Sequence, residues 1–310
     1  MNVAPAAHPL LGLRRSTPIL VQGITGREAS SFVAESLAYG ANIAAGVTPG
    51  KGGRRVHGVP VYNSVVEALA HHPLHATVIS VPARFVRDAA AEALAAGLKL
   101  MVIVTERIPR RDVVAILEQA EEVGCQIIGP NSLGLIVPGQ TRLGMAGGSA
   151  DAVRRAYMPG PVAVLSRSGG MTTEIASMLT ARGIGQSIAI SVGGDPIVGS
   201  TFADLIPVLA GDGRTRAAVL FCEPGGSMEE DLAAWILDHG LPFPIIAFIA
   251  GKFAERFPGQ RFGHAAAIVE GERGNPRRKA ALMQEAGITL AATLADIPPL
   301  VQEALAAAAE

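Results

Sequence analysis

His264 and Glu223 are the two residues of this chain whose types and surroundings suggest covalent chemistry. His264 lies in a loop rich in glycine and alanine after the apolar run 244–250, and Glu223 follows another apolar run and precedes Pro-Gly-Gly. A neutral imidazole can attack an electrophile when a carboxylate accepts a hydrogen bond from its second ring nitrogen. The two residues are therefore a candidate nucleophile and orienting acid. A structural histidine and a solvated loop carboxylate remain the alternatives.

The segment 166–173, with the sequence Ser-Arg-Ser-Gly-Gly-Met-Thr-Thr, connects a predicted strand to a predicted helix. The N–H groups and the dipole at the start of a helix attract anions, which makes this segment a candidate phosphate site. Ser168 is equally suited to be an ordinary helix N-cap, which contributes about 1 kcal/mol and needs no ligand. The residues alone leave both interpretations open.

A second candidate phosphate site is the turn Gly23-Ile24-Thr25-Gly26, between the first predicted strand and the first predicted helix. The three-glycine dinucleotide fingerprint is incomplete there, because Val21 stands where its first glycine would be. The second strand ends in a glycine-rich segment that contains Lys51, and it lacks the acid that binds an NAD ribose. The pattern favours a phosphate-bearing ligand over NAD, with a plain surface turn as the alternative.

These motifs must be positioned by alternating strands and helices, which predict parallel sheets with right-handed crossovers. In the first half, strands are predicted at 19–21, 42–47, 76–81, 99–105 and 126–128, and helices at 27–39, after the third strand as far as Gly97, and at 110–123. Residues 134–161 are rich in glycine and proline and are predicted to be a linker. The alternation then restarts, with strands at 162–165, 187–192, 217–222 and 244–250 and helices at 170–182, 201–210, 228–239, 275–286 and within 294–308.

Three loops, at 81–83, 105–109 and 129–134, also follow predicted strands of the first half. The carboxyl ends of parallel strands meet at one edge of a sheet, where open α/β folds bind ligands. We therefore expect these loops and the glycine turn to form one rim around a phosphate-rich ligand. The sequence contains no nucleophile elbow, no Walker lysine loop and no cluster of metal ligands.

Composition and charge argue against several classes of protein. Of 310 residues, 49% are hydrophobic and 17% are charged, which suits two domains with a large core. The net charge of −1 provides no field for nucleic acid, and Arg277-Arg278-Lys279 is predicted to be a solvated helix face. No apolar run approaches the ~20 residues that span a bilayer, and residues 1–13 lack the pattern of a signal peptide. Cys125 and Cys222 are predicted to be buried, reduced thiols of a cytoplasmic protein.

Taken together and in this order, the motifs resemble those of the alpha subunits of succinate–CoA ligase and of related acid–CoA ligases that form a nucleoside diphosphate. The resemblance covers about residues 17–305, and the whole set of motifs is far more specific than any one of them. The motifs are 22–26 (QGITG), 46–53 (GVTPGKGG), 129–131 (GPN), 166–169 (SRSG), 193–196 (GGDP), 223–226 (EPGG) and 263–265 (GHA).

The resemblance implies an N-terminal Rossmann-like CoA-binding domain over 1–132 and a flavodoxin-like α/β ligase domain over 133–310. It implies that His264 is phosphorylated and that Glu223 orients it. The implied phosphate contacts are Ser168, Gly169 and Gly170. The implied CoA contacts are Thr25, Gly26, Arg27, Glu28, Lys51, Val104, Thr105 and Glu106. The implied contacts of the carboxylic acid are Thr173, Asn131 and Ser132.

The resemblance also implies a partner, because in this family a separate beta subunit carries the ATP-grasp nucleotide site and its Mg²⁺. The implied reaction forms an acyl-CoA from a carboxylic acid, CoA and ATP or GTP, through a phosphohistidine and an acyl phosphate. The chain is thus expected to act in a hetero-oligomer and to hold no metal itself. No nucleic acid or membrane partner is expected.

Several positions depart from the family pattern. Ser132 and Leu133 stand where the family has Cys-Pro, Thr173 replaces a tyrosine that touches substrate, Gly170 replaces a threonine and Arg107 replaces a glycine. The acid is therefore not fixed, and malate, citrate or another carboxylate is an alternative to succinate. A CoA-binding regulatory protein without turnover and a Rossmann dehydrogenase are the other readings, although His264 with Glu223 argues against the first. The missing ribose-binding acid argues against the second.

Overall fold

The computed structural model describes residues 8–251 and 274–308 of the chain. Within them lie two sheets of seven strands each, one built after the other along the chain. Both sheets are dominated by parallel neighbours and carry helices between their strands. The predicted α/β architecture, a Rossmann-like domain followed by a flavodoxin-like domain, is confirmed.

The first domain places the ends of four parallel strands at one edge. The sheet has the order β3-β4-β2-β1-β5-β6-β7, and β3 and β4 are its antiparallel pair. In chain order its elements are β1 (Ile19–Gln22), α1 (Arg27–Tyr39), β2 (Ile43–Val47), β3 (Arg55–Val56), β4 (Val59–Tyr62), α2 (Val65–Leu69), β5 (Ala76–Ile79), α3 (Val86–Ala95), β6 (Leu100–Ile103), α4 (Arg110–Val123) and β7 (Gln126–Ile128). Because β1 is parallel to β2 and β5, and β5 to β6, their carboxyl ends lie together.

Helix α1 begins at the edge of the sheet where the carboxyl ends of the parallel strands lie together, and its local sequence determines where it begins and ends. Ala29, Phe32 and Val33 lie on its buried face, at the spacing of a helix that packs on a sheet. Gly40 ends the helix in the left-handed region, at φ 102°, where its N–H donates to carbonyls of the last turn. The predicted bounds of α1 are confirmed, and so are those of α4.

The second domain begins with an antiparallel hairpin and continues as a parallel sheet of order β14-β13-β12-β10-β11-β8-β9. Its helices lie between these strands in the chain, and α8 and α9 follow β12 and β13. The elements are β8 (Gly134–Val137), β9 (Thr141–Gly144), α5 (Ala150–Ala156), β10 (Pro159–Ser166), α6 (Gly169–Thr180), β11 (Gln186–Ser191), α7 (Phe202–Ala210), β12 (Ala217–Cys222), α8 (Met228–His239), β13 (Ile245–Ile249), α9 (Pro276–Glu285), β14 (Thr289–Leu290) and α10 (Ile297–Ala307).

The prediction of a linker at 134–161 is wrong. These residues form the hairpin β8–β9, the helix α5 and the start of β10. The hairpin extends the second sheet because β8 pairs antiparallel with β11. A strand of four residues carries too little periodic signal to be recognised locally, and its partner lies about fifty residues further along the chain. The elements β3, β4, α2 and β14 were not predicted either, because each has only two to five residues and carries as little periodic signal.

The hairpin and α5 also hold the two domains together, because α1 packs against both β9 and α5. Glu35 in α1 accepts a hydrogen bond from Ala150 N at 2.7 Å, at the start of α5. Tyr39 at the other end of α1 accepts one from Gly139 N at 2.9 Å. The helix that borders the ligand edge of the first domain is thus anchored to the second domain along its length.

Both cysteines are buried and free, as predicted. Burial raises the pKa of the Cys125 thiol to about 11 and raises the pKa of the Cys222 thiol well above its usual value. Both side chains therefore stay protonated at neutral pH. None of the helices in residues 8–251 and 274–308 is long and apolar enough to cross a membrane.

Candidate functional site

A first cleft of ≈530 Å³ lies at the carboxyl ends of β1, β2 and β5. Lys51 and Thr25 are among its lining residues, and Lys51 Nζ donates a hydrogen bond to Thr25 Oγ1 at 3.1 Å. An ammonium group beside the start of α1 suits a phosphate, and apolar walls suit a flat ring. The apolar lining residues are Val47, Pro49, Val81, Pro82, Phe85 and Ala89.

Gly23 allows the turn before α1 to approach β5 closely. Its φ of +83° lies in the left-handed region, and an added Cβ would be 2.2 Å from the carbonyl oxygen of Ser80. Gly26 is the N-cap of α1 and has no side chain that could cap it. The start of α1 therefore meets the cleft through a turn in which two glycines leave room for a ligand.

A second cleft of ≈530 Å³ adjoins the first, and Gly26 and residues 80–82 line both. Its walls come from both domains: Arg27 and Glu28 at the start of α1 lie on one side, and Met145 of the second domain lies on the other. Thr105 Oγ1 donates to Val81 O at 2.7 Å and so joins the ends of β5 and β6 at the floor. The two clefts are therefore neighbours, and together they extend from the first sheet to the second domain.

All the CoA contacts that the resemblance implies line this space. Thr25 and Lys51 line the first cleft, and Gly26 lines both. The second cleft is lined by Arg27, Glu28, Val104, Thr105 and Glu106. The rim expected from the sequence, where loops after parallel strands meet, is thus present. Met145 also lines it and was missed, because it lies in the stretch predicted to be a linker.

The implied contacts of the carboxylic acid do not all lie together. Asn131 and Ser132 line the second cleft. Asn131, at φ 54°, donates from Nδ2 to Asp195 Oδ1 at 2.9 Å. The Ser132 hydroxyl donates to Ser191 O at 2.5 Å and accepts from Gly134 N at 2.8 Å. Both side chains therefore also hold the loop that enters the second domain.

Thr173 is not among the residues that line either cleft. Its hydroxyl lies 2.9 Å from the hydroxyl of Tyr157, a buried residue at the end of α5. Burial raises the pKa of the Tyr157 phenol to about 12, so the phenol is protonated at neutral pH. Thr173 thus joins the start of α6 to the end of α5.

The start of α6 is the candidate phosphate site. Ser168 is the N-cap, but its side chain makes no capping hydrogen bond to the helix, so the ordinary-cap interpretation is wrong. The loop is held instead by Ser166, whose hydroxyl donates to Ser168 O at 2.6 Å and accepts from Ser168 N at 3.0 Å. Gly169 packs on Leu133, and Gly170 is exposed. The start of α6 is therefore shaped by the loop and is not capped by the side chain of Ser168.

Two buried cations hold the loop that carries Glu223. Lys279 Nζ donates to Glu223 O at 3.2 Å and to Gly225 O at 2.7 Å. Arg167, which directly precedes Ser168, donates from Nη1 to Gly225 O at 3.2 Å. The candidate phosphate loop and the Glu223 loop are thus joined through one carbonyl oxygen.

Lys279 is entirely buried, so the prediction of a solvated helix face is wrong at this position, although Arg277 and Arg278 are exposed. Its ammonium group pairs with Glu229 Oε2 and lies 3.6 Å from Glu230 Oε2. Glu229 Oε1 in turn accepts a hydrogen bond from Glu223 N at 3.4 Å. A buried charge is tolerated when it is paired in this way, and its partners come from distant parts of the sequence.

His264 lies in 252–273, outside the described residues. The residues on either side of that segment contact the Glu223 loop. Gly225 N donates to Gly274 O at 2.9 Å, and a Cβ added at Gly251 would be 2.4 Å from Pro224 Cγ. The described residues that flank this segment, Gly251 and Gly274, therefore lie beside Pro224 and Gly225, which directly follow Glu223.

The part of the chain that the structure describes contains no group of three or more His, Cys, Asp or Glu side chains that could hold a metal ion. The described groups near the start of α6 include backbone N–H donors, the buried cations Arg167 and Lys279, and the carboxylate of Glu223.

Two protein families match the chain in succession. Residues 14–107 match the CoA binding domain, and residues 165–293 match the CoA-ligase domain. Among solved structures, ATP citrate lyase from Methanothrix soehngenii in complex with citrate and coenzyme A has a TM-score of 0.86 and 20% identity. That alignment covers 95% of this chain and 52% of the lyase, so this chain spans about half of the lyase's length. At this identity the likeness concerns the fold.

Curated relatives are similar over nearly their whole length. Subunit alpha 1 of the ADP-forming succinate–CoA ligase of Archaeoglobus fulgidus is 43% identical over 290 residues, which are 94% of this chain and 96% of that protein. Subunit SqwL of the ADP-forming sulfoacetate-CoA ligase of an Acholeplasma species is 38% identical over 289 residues, which are 93% of this chain and 96% of that protein. The resemblance seen in the motifs is confirmed: this chain belongs to the family of alpha subunits of ADP-forming succinate–CoA ligases.

Proposed function

We propose that this chain is the alpha subunit of an acid–CoA ligase that forms an acyl-CoA from a carboxylic acid, CoA and ATP or GTP. The observation that carries the proposal is the contact of Gly169, at the start of α6, with Leu133 in the wall of the second cleft. Through this contact a candidate phosphate site adjoins a candidate CoA site. Transfer of an acyl group from a phosphate to a thiol requires that arrangement.

CoA binds in the two adjoining clefts. Its nucleotide part occupies the first cleft, where Lys51 provides a cation for phosphate and Val81, Pro82 and Phe85 provide an apolar wall. Its pantetheine arm follows the second cleft toward Asn131 and Leu133. This orientation brings the thiol to the side of the molecule where α6 begins.

The phosphoryl group is carried by His264. One ring nitrogen attacks the γ-phosphorus of ATP or GTP and the nucleoside diphosphate leaves. The N–H of the other ring nitrogen donates a hydrogen bond to the Glu223 carboxylate, which fixes the tautomer. The N–H groups at the start of α6, with Ser168, Gly169 and Gly170, stabilise the negative charge of the phosphoryl oxygens. Support for these roles comes from the joined loops of Ser168 and Glu223 and from Gly251 and Gly274, which flank the His264 segment beside Glu223.

The chemistry then runs in two transfers. A carboxylate oxygen of the acid attacks the phosphorus, and the histidine nitrogen leaves with the bonding electrons, which gives an acyl phosphate. The thiol of CoA then attacks the acyl carbon, and inorganic phosphate leaves. Each attack needs its reacting atoms within about 3.5 Å, which explains why the two candidate sites must adjoin.

The acid is set by the residues around Asn131 and Ser132, which line the second cleft, whereas Thr173 joins α6 to α5. The succinate and sulfoacetate ligase subunits are similarly identical to this chain, at 43% and 38%. Their names therefore do not select the acid. Because Ser132 and Leu133 replace the family's Cys-Pro, we propose that the acid differs from the family's usual succinate, with malate, citrate or another carboxylate as the alternatives to test.

The phosphate donor is bound by a partner. We propose an ATP-grasp beta subunit that holds ATP or GTP with Mg²⁺ and forms a hetero-oligomer with this chain in the cytoplasm. The buried, reduced thiols of Cys125 and Cys222 favour that compartment. The named relatives are subunits, which supports a partner of this kind.

The test of this function is release of nucleoside diphosphate by this chain copurified with its beta subunit. We expect release that depends on both CoA and one acid of a panel that includes succinate, malate, citrate and sulfoacetate. Either subunit alone should be inactive. A complex that binds CoA but releases no diphosphate with any acid would contradict the proposal and favour a regulatory CoA-binding protein.

A further inference from the structure

Arg142 in β9 connects the two domains through one guanidinium group. The side chain is entirely buried. Toward α1 of the first domain, Nε donates to Ser36 Oγ at 3.1 Å and Nη2 donates to Phe32 O at 3.4 Å. Toward the second domain, Nη1 donates to Ala146 O at 3.2 Å and to Gly148 O at 2.6 Å. The fork of the guanidinium thus binds both domains at once.

Burying the Arg142 guanidinium costs free energy, and hydrogen bonds to both domains together offset that cost. Burial lowers the pKa of Arg142 from its usual value, while the nearby carboxylate of Glu35 opposes that effect. A buried cation is destabilising unless its N–H groups are satisfied. Because the acceptors come from both domains, separating the domains would leave part of the guanidinium without partners. Arg142 therefore stabilises one particular spacing of α1 from the hairpin.

That spacing sets the width of the second cleft. Arg27 and Glu28, at the start of α1, line one wall, and Leu133 and Met145 line the other. Met145 N and Ala146 N both donate to Leu133 O, at 2.9 and 2.8 Å, so this wall is one unit. Arg142 binds the wall at Ala146 O and binds α1 at Phe32 O. It ties both sides of the cleft together without being among the residues that line it.

We propose that Arg142 is a positioning residue for the pantetheine end of CoA. It holds the Leu133–Met145 wall at the distance from α1 that this arm needs. The inference rests on the proposed binding of CoA in the two clefts. Among the described residues, by contrast, those that line the first cleft all belong to the first domain, from Gln22 to Glu92. The nucleotide end of CoA should therefore bind independently of Arg142.

The experiment compares two ligands by calorimetry on the full chain in complex with its beta subunit. One ligand is CoA, and the other is 3′-phosphoadenosine 5′-diphosphate, which is CoA without its pantetheine arm. In Arg142→Gln the Kd of CoA should rise about tenfold, the effect of losing a hydrogen-bonded charge. The Kd of the nucleotide should change by less than about twofold, within the usual error of such comparisons. Ser36→Ala, which removes one acceptor, should shift CoA affinity in the same direction by about threefold.

Arg154 provides a matched control. It crosses the same interface, with Nη2 donating to Ala38 O near the C-terminal end of α1, but it belongs to α5 and is half-exposed. Arg154→Gln should change neither affinity. Arg142→Lys keeps the charge but not the fork, so its CoA affinity should fall between those of the wild type and Arg142→Gln.

Two results would overturn the inference: a folded Arg142→Gln complex with unchanged CoA affinity, or one in which the nucleotide weakens as much as CoA. If Arg142→Gln does not fold, unchanged CoA affinity in both Ser36→Ala and Arg142→Lys would also overturn the inference. A wild-type complex that binds neither ligand would instead contradict the proposed CoA site itself.

Discussion

Gly169 lies directly against Leu133, where helix α6 of the second domain begins. A Cβ added at Gly169 would be 2.2 Å from Leu133 Cγ and 2.5 Å from its Cδ1. Leu133 in turn lines the second cleft. The side chain of Leu133 therefore lies between the candidate phosphate site and the candidate CoA site, and the lack of a side chain at position 169 permits this closeness.

Gly169→Ala should destabilise the protein by about 1–3 kcal/mol, since overpacking forces neighbouring side chains and backbone to move. Gly170→Ala is the matched control, because a Cβ at Gly170 would meet no atom of residues 8–251 and 274–308 within 4 Å. Because alanine is favoured over glycine in a helix, Gly170→Ala should leave the free energy of unfolding unchanged or raise it by about 0.5–1 kcal/mol. Unfolding in urea measures both, and equal free energies of unfolding for the two variants would contradict the packing described here.

Lys51, the cation of the first cleft, should contribute to the affinity for CoA. Lys51→Ala should raise the Kd of CoA about tenfold or more, the effect of losing one charge-assisted hydrogen bond to phosphate. Since Lys51 is only half-buried, the Tm should stay the same. Lys99→Ala is the control, because Lys99 is an exposed lysine of the same domain that donates to Val123 O. An unchanged Kd by calorimetry in Lys51→Ala would remove Lys51 from the site.

The buried pair of Lys279 and Glu229 makes a prediction for stability. Lys279→Met should lower the free energy of unfolding by about 3–5 kcal/mol, because it leaves a buried carboxylate without its counter-charge. Arg278→Met, one position earlier on the exposed face of α9, should change it by less than about 0.5 kcal/mol. Denaturant unfolding of both variants tests this, and a mild effect of Lys279→Met would mean that the cluster is not essential to the fold.

The sequence predicted best those elements whose signals are local. Helices α1 and α4 have apolar residues at helical spacing and end at Gly40 and Gly124, both in the left-handed conformation. Their bounds could therefore be predicted to the residue. The ligand rim was predictable as well, because the carboxyl ends of parallel strands must meet.

What the sequence did not predict depends on distant partners. The strand β8 is defined by its pairing with β11, and Lys279 is buried because Glu223, Gly225 and Glu229 surround it. Read locally, Lys279 resembles the exposed Arg277 and Arg278. The side chain of Ser168 does not cap α6, although its residue type is common at that position, because Ser166 holds the loop instead.

The central claim is that His264 carries the phosphoryl group, and labelling of the complex with γ-labelled ATP tests it most directly. The wild-type complex should acquire acid-labile label, and Glu223→Gln should acquire it about 10²-fold more slowly, because the imidazole loses its orienting acid. His57→Asn is the control; His57 is exposed, at φ 50°, a conformation that asparagine also adopts, and this variant should label normally. His264→Asn should take up no label and form no acyl-CoA. Acyl-CoA formation at the normal rate by His264→Asn would contradict the phosphohistidine mechanism.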